Sequence, residues 1–370
     1  MDAIEPAPKR LLRWCAPLLA LFSHAPAHAT VLPEDQAEAL IHDYDGGGVQ
    51  ANGPAFLVRK SLADRVSLSA NYYVDAVSNA SIDVVTTASP FKETRKSFGL
   101  GADVLVRDAL ISLSMDSSSE PDYKAGTFGL DVSQDVFAGM TTVSLGFTRG
   151  RDDVGKTGVG FFDHATHWQY RSGVTQILSP RWLASLNFEA INDDGYLGSP
   201  YRVARVFGAF VPERNPRTRS SHAIELRTVG EVGDGAWRTA VRASWRHYGD
   251  NWAVKGETLE FGAAHNFGER WLADASLRVY SQGKALFYSD NAGGETLYVS
   301  RNRQLSDFKD FSVGAKLSYS FGGAAAKYGT RLTGAYELKS YRFGDFTDLR
   351  SGKAYSYNAN VLQLFVSAHY

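Results

Sequence analysis

WLASLNFEA, residues 182–190, decides the fold: Trp182, Ala184, Leu186, Phe188 and Ala190 share one phase of a period of two, and Ser185, Asn187 and Glu189 share the other. That period belongs to a strand whose two faces meet different solvents. WRTAVRASWR repeats it, with Trp237, Val241 and Trp245 opposite Arg238, Arg242 and Arg246. FSVGAKLSYSF does so again, with Phe311, Val313, Leu317, Tyr319 and Phe321 opposite Ser312, Lys316 and Ser320. No later stretch shows a convincing helical stripe.

Working outward from these segments, clear strands are predicted near 65–75, 95–106, 109–117, 124–136, 140–150, 164–178 and 181–192. The second half adds 220–231, 236–248, 255–267, 270–282, 310–321, 328–341 and 355–370. A weaker first hairpin near 37–45 and 51–61 brings the count to sixteen, with fourteen as the fallback. Tight turns such as Arg107-Asp108, Ser179-Pro180 and Gly233-Asp234-Gly235 alternate with longer connections near 76–94, 151–163, 193–219, 283–309 and 342–354. The expected fold is therefore all-β, a transmembrane antiparallel up-and-down barrel, with short periplasmic turns, long surface loops and both termini periplasmic.

The tryptophans fit that expectation. Trp182, Trp237 and Trp271 each follow a tight turn on the outward phase, and Trp168 and Trp245 lie outward near the opposite strand ends. From Trp237 to Trp245 a strand advances about 26 Å, or about 20 Å along the membrane normal once tilted by roughly 40°. Two aromatic girdles bounding an apolar band have about that spacing. At the C-terminus, Leu362, Leu364, Val366, Ala368 and Tyr370 form an outward stripe ending in an aromatic ring. It is similar to the terminal-strand signal that barrel-assembly machinery recognises.

The N-terminus reads as an export address. Lys9, Arg10 and Arg13 precede an apolar run from Trp14 to Phe22, and Ala27-His28-Ala29 supplies small residues for cleavage. The run is too short to span a bilayer as a helix. Residues 1–29 are thus expected to be a signal peptide and 30–370 a single barrel domain, in the bacterial outer membrane. The one cysteine, Cys15, falls in the signal, which leaves the barrel without disulfides, thiolate metal ligands or a cysteine nucleophile. A net charge of −1 lends no support to nucleic-acid binding.

Several stretches, GPAFLVRKS, VSLSANYYVDAVSNASIDVVTTAS, GSPYR, FVPERNPRTR, GERW, FYSD and LQLFVS, resemble the domain-of-unknown-function 3570 family (DUF3570) of Gram-negative bacteria. They are scattered from about residue 43 to the end. The resemblance implies an outer-membrane barrel with no assigned reaction or ligand and no catalytic residues to carry over. It also implies periplasmic redox proteins as partners, because family members are often encoded beside thioredoxin-like proteins, small lipoproteins and flavin-attaching enzymes.

Chemistry-bearing patterns are sparse. His164 and His167 lie near Asp163, Asp152 and Asp153, where a hydrolase pairing of acid and histidine competes with solvated loop residues; neither a G-x-S-x-G nor an H-E-x-x-H pattern accompanies them. Gly99-Leu100-Gly101 sits inside an alternating strand, where its glycines relieve crowding on the inner wall. Asp43-x-Asp45-Gly46 begins like a calcium loop, but Pro54 stands where the bidentate acid belongs, so a hairpin turn is expected. No metal, cofactor or enzymatic activity is expected. Loop acids and arginines are compatible with lipopolysaccharide phosphates or divalent ions, and equally with solvated loops.

The inward phase carries the most informative charges. Arg227, Arg238, Arg242, Arg246, Arg278, Lys316, Arg331 and Lys339 fall on the later strands, whereas the earlier wall supplies Asp103, Asp131 and Glu189. Separated charge of this kind would set a transverse field across a water-filled lumen. Alternatively, Glu225, Glu260, Asp274 and Glu337 pair with those cations and stiffen the wall. The expected function is a channel, or an uptake or export barrel, for polar solutes. A non-channel barrel that anchors or receives an exported redox assembly is the alternative, and a barrel hydrolase the third. Outer-membrane lipid, lipopolysaccharide and the barrel-assembly machinery are the expected partners.

Overall fold

The computed structural model describes residues 31–79, 91–321 and 329–370. The signal-peptide reading of 1–29 lies outside the described residues. Among the described residues there are eighteen strands: β1 Gln36–Gly46, β2 Val49–Ala63, β3 Val66–Asn79, β4 Phe91–Val106, β5 Ala109–Glu120, β6 Tyr123–Val136, β7 Thr141–Lys156, β8 Phe161–Ser179 and β9 Trp182–Gly195. Then follow β10 Val203–Val206, β11 Ala209–Pro212, β12 Thr218–Val232, β13 Thr239–Asp250, β14 Lys255–Phe267, β15 Trp271–Gln282, β16 Phe308–Phe321, β17 Gly329–Asp348 and β18 Lys353–His369.

Sixteen of these close an antiparallel barrel in chain order, and β10 and β11 form a separate hairpin in the connection between β9 and β12. The seam joins β1 to β18, from Gln36 opposite His369 to Gly46 opposite Ala359. Closure removes the unpaired edge that an open sheet would present.

Alternation fixes which side chain meets which solvent. On β9, Leu186 and Phe188 are exposed on the outside, whereas Asn187 and Glu189 face the lumen and are half-buried. Leu362, Leu364, Val366 and Tyr370 project outward in the same way. Such an outer surface matches hydrocarbon. In water it would be an aggregation surface.

Three details depart from the sequence reading. The connections expected near 151–163 and 342–354 are mostly strand, since β7 and β8 run to Lys156 and from Phe161, and β17 and β18 run to Asp348 and from Lys353. Backbone pairing needs no apolar face, so a ladder continues into polar sequence. β17, with 20 residues, is roughly 66 Å long at about 3.3 Å per residue and overshoots an apolar band of about 25 Å even when tilted. The third concerns Trp237, which lies in a 3-10 turn, Gly235–Trp237, ahead of β13 rather than opening it.

Buried apolar residues gather on the inner wall toward the long-loop end, on β15 to β18 and β1 to β3. Tyr44, Tyr280, Phe308, Tyr341, Phe343 and Tyr355 belong to one cluster there. The sequence reading did not anticipate this lumenal apolar patch.

Candidate functional site

Every lumen-lining candidate on a strand faces inward, and most of their charges are paired. Arg59 donates to Asp103, which also accepts from Ser112 Oγ at 2.5 Å. Arg171 holds Asp131 by two hydrogen bonds of 2.8 and 3.0 Å. Arg246 donates to Glu189 at 2.8 Å, and Gln169 donates to the same carboxylate. Arg242 grips Asp274 at 2.6 and 2.9 Å. Arg278 lies between Glu260 at 3.0 Å and Asp310 at 2.7 Å. Lys339 meets Glu337 at 3.2 Å, and Arg238, just outside β13, approaches Glu231 at 3.5 Å.

These pairs replace the separated field with a belt of local dipoles. Of the acids considered as partners, Asp274, Glu260 and Glu337 hold cations, while Glu225 instead accepts from Asn187 at 3.4 Å. Arg227 lies across from Ser185 and Ser244, and no carboxylate bonds it among the described residues. Arg331 donates to Ser320 Oγ at 3.3 Å, and Lys316 stands opposite Asp274.

Several pairs join strands two apart, and sequence spacing alone could not show why. Gly146 separates Asp131 from Arg171 in the register, and a Cβ built there would lie 2.1 Å from Asp131 and 2.8 Å from Arg171. Gly262 likewise leaves room for Arg242, whose Cζ would be 2.3 Å from such a Cβ. Arg59, Arg171 and Asp310 escaped the sequence reading, although each occupies the inward phase of its strand.

The histidine candidates separate. His164 faces outward, whereas His167 points inward with Nδ1 at 2.7 Å from Asp193 and Nε2 at 2.9 Å from Asp152, so both ring nitrogens are engaged. Tyr123 donates to Asp152 as well. A second pairing, absent from the sequence reading, joins buried His42 to Asp75 at 2.7 Å with Tyr73 at 3.0 Å. Gly99 faces inward beside Asn71 and Asp116, and Asp43 and Asp45 lead into a hairpin turn at Gly47 and Gly48.

Two loops cover part of the mouth. Within 283–307, Arg303 is only 2 % exposed, and its guanidinium lies 5.8 and 5.7 Å from the inward-facing rings of Tyr355 and Tyr357. Gln282 donates to the carbonyls of Gln304 and Ser306 at 2.9 and 2.8 Å, tying the returning chain to the wall. Arg301 bonds Asp290 and the Thr347 carbonyl, and Tyr288 donates to the Asp345 carbonyl at 3.0 Å. Burial and the nearby Asp345 and Asp290 push the Tyr288 phenol well above its ordinary value. The β10–β11 hairpin packs on this loop through Val206, Ala292 and Val299, and Ser300 donates to Glu213. Beside it Arg219 clamps Asp250 and lies 4.6 Å over Trp252.

On the outer face, Trp182, Trp237 and Trp271 point outward at the short-turn end, the last in tilted contact with the Tyr319 ring, centroids 4.8 Å apart. Trp168 and Trp245 face outward nearer the other rim, where Arg149 lies over Trp168 and Trp245 donates to Glu257 at 2.9 Å.

Residues 152–342 match the family described as "Protein of unknown function (DUF3570)". The chain belongs to the DUF3570 family. The matched span runs from Asp152 through Arg342 and so includes both mouth loops and the wall of β8 to β16. Among solved structures, this DUF3570 chain resembles a bacterial polysaccharide outer membrane secretin, with a TM-score of 0.53 and 10 % identity over 92 % of this chain and 100 % of that one. It also resembles CdiB from Acinetobacter baumannii, with a TM-score of 0.50 and 10 % identity over 91 % of this chain and 61 % of that one. Identity this low carries the outer-membrane barrel fold alone. No curated protein matches the sequence.

Proposed function

We propose that this DUF3570 barrel is a bacterial outer-membrane channel for polar solutes, with its long loops at the cell surface and its termini in the periplasm. The belt of inward ion pairs carries the reading: Asp131–Arg171, Glu189–Arg246 and Arg242–Asp274 are all partly exposed to the lumen. A wall of charges that meets water on one side suits a hydrated path better than a dry core. Because the charges are paired, selectivity is modest. Loop 283–307 is the constriction.

Conductance of the purified protein in planar bilayers tests this, with reversal potentials in a salt gradient. The expected result is discrete openings with weak ion preference, and larger openings once 286–300 is replaced by a short turn. Silence from both proteins overturns the channel reading.

The loop cover supports a second reading, in which the barrel anchors or receives an exported assembly. Under it the wild type is silent and the surface formed by the two loops binds the partner. A barrel hydrolase has less support, since His167 has both ring nitrogens committed to carboxylates.

A further inference from the structure

We propose that the outer face of β5 to β7, just above the apolar band, binds a phosphate-bearing glycolipid of the outer leaflet, with the phosphate seated at Gly126. The proposal rests on the orientation given above, which puts this rim at the cell surface.

The register assembles the site. Gly126 stands opposite Ser117 on β5 and Arg151 on β7, while the row above pairs Ser119 with Lys124 and Lys124 with Asp153. The row below pairs Met115 with Phe128 and Phe128 with Arg149, and Arg149 is opposite Trp168 on β8. All of these lie on the outward phase. Lys124, Arg149 and Arg151 therefore surround one position that has no side chain.

That position is open: a Cβ built on Gly126 meets nothing within 4 Å. Arg149 lies 4.8 Å over the Trp168 ring, which holds its guanidinium against the wall without neutralising it. No carboxylate bonds Arg149 or Lys124 among the described residues. Asp153 approaches Arg151 Nε at 3.7 Å, but both side chains are well exposed, and such a pair is weak. His164 stands opposite Asp153, and Lys96 on β4, opposite Ser119, adds a further outward cation to that row.

Arg149 and Arg151, two residues apart on one strand, sit about 6 to 7 Å from each other and repel unless an anion intervenes. Outward arginines and lysines are tolerated only near a membrane interface, so the patch marks a headgroup level. Immediately below it, Met115, Phe128, Leu113 and Leu145 are exposed apolar side chains, suited to acyl chains descending from the same headgroup. At the comparable level of β1 the outward residues are Asp43 and Asp45, which would repel phosphate. Charge complementarity thus favours this wall over that of β1, and Lys309 opposite Arg342 on the outward phase of β16 and β17 forms a second, smaller basic pair.

Native mass spectrometry of the full protein, refolded in detergent and titrated with diphosphoryl lipid A, tests the proposal. Retained lipid A is expected on the wild type and at least tenfold weaker retention on the Lys124→Gln, Arg149→Gln, Arg151→Gln variant, with dephosphorylated lipid A and phosphatidylglycerol both binding poorly. Gly126→Trp fills the notch without altering charge and is expected to lose lipid A as well, which keeps the test open if the triple variant folds badly. Equal lipid A binding by the folded variants overturns the site. Phosphatidylglycerol binding as tightly as lipid A, and lost in the same variants, overturns the glycolipid assignment. A tag at Asn291 on intact cells separates the two claims: an unlabelled tag means that the orientation fails, whereas a labelled tag with unchanged lipid binding means that the site alone fails.

Discussion

Arg171 on β8 reaches Asp131 on β6 over the bare Cα of Gly146, which lies between them on β7. Arg242 passes over Gly262 to Asp274 in the same manner. In Gly262→Leu the new side chain occupies the guanidinium's path and Arg242 swings into the lumen. Since Arg242 is 30 % exposed in that pair, the expected stability loss is small, under about 1 kcal/mol. Reversal potential is expected to move toward anions, and urea unfolding in lipid vesicles reports stability. A collapse of folded yield would show that the pair holds the wall together.

Glu189→Gln leaves Arg246 without its 2.8 Å carboxylate partner. Anion preference is expected to rise, and to fade as the screening length drops from about 10 Å at 0.1 M to about 3 Å at 1 M salt. Arg246→Gln is expected to shift the preference the other way. Measured shifts of one sign in both variants would contradict the pairing.

Arg301→Ala removes the link from loop 283–307 to Asp290 and to the Thr347 carbonyl. Arg301 is nearly buried, so the local cost is about 1–3 kcal/mol. Faster limited proteolysis within the loop is expected, with the barrel strands still protected. Unchanged cleavage would mean that packing at Val299 and Leu305 suffices.

The Lys60 ammonium and the Ser61 N–H, both 2.6 Å from Asp35, hold its carboxyl down at about 2. A depressed folded value means that this tie is complete above the ordinary carboxylate range and is lost as pH falls through about 2. Hydrogen exchange at the Ser61 amide is the measurement. Wild-type protection is expected to persist at the ordinary carboxylate midpoint, whereas Asp35→Asn is expected to have lost part of it already at neutral pH.

Tyr370 projects outward, lies 4.6 Å from the Lys60 ammonium, and its N–H donates to the Asp35 carbonyl at 3.3 Å. Tyr370→Asp puts a charge on the lipid-facing stripe, which costs more the deeper it lies. Less heat-modifiable barrel in the outer membrane is expected, and wild-type amounts would count against an assembly role for the ring.

Much of the architecture was legible because a period of two survives wherever the two faces have different solvents. Trp182 to Ala190 needed no partner to reveal its faces, and the same held for the outward stripe ending at Tyr370. Less was legible where a side chain's fate depends on a strand two places away. Arg242 points inward on sequence grounds, but only the register puts Gly262 beneath it and Asp274 within reach. The mouth was illegible for another reason: Arg303 and Leu305 lie in a single 3-10 turn, Arg303–Leu305, and Trp252 in a tight turn, where burial comes from residues far along the chain and no periodicity announces it.

Loop 283–307 lies between β15 and β16 in the chain, yet its Arg303 rests on rings of β18 and its Arg301 on a carbonyl at the end of β17. The loop is therefore synthesised before the surface that receives it exists. Until the last two strands are in place, Arg301 and Arg303 have no seat, and the cover stays unlatched from the wall. The cover can close only over a finished wall, so its protection from protease is a clock for completion of the molecule.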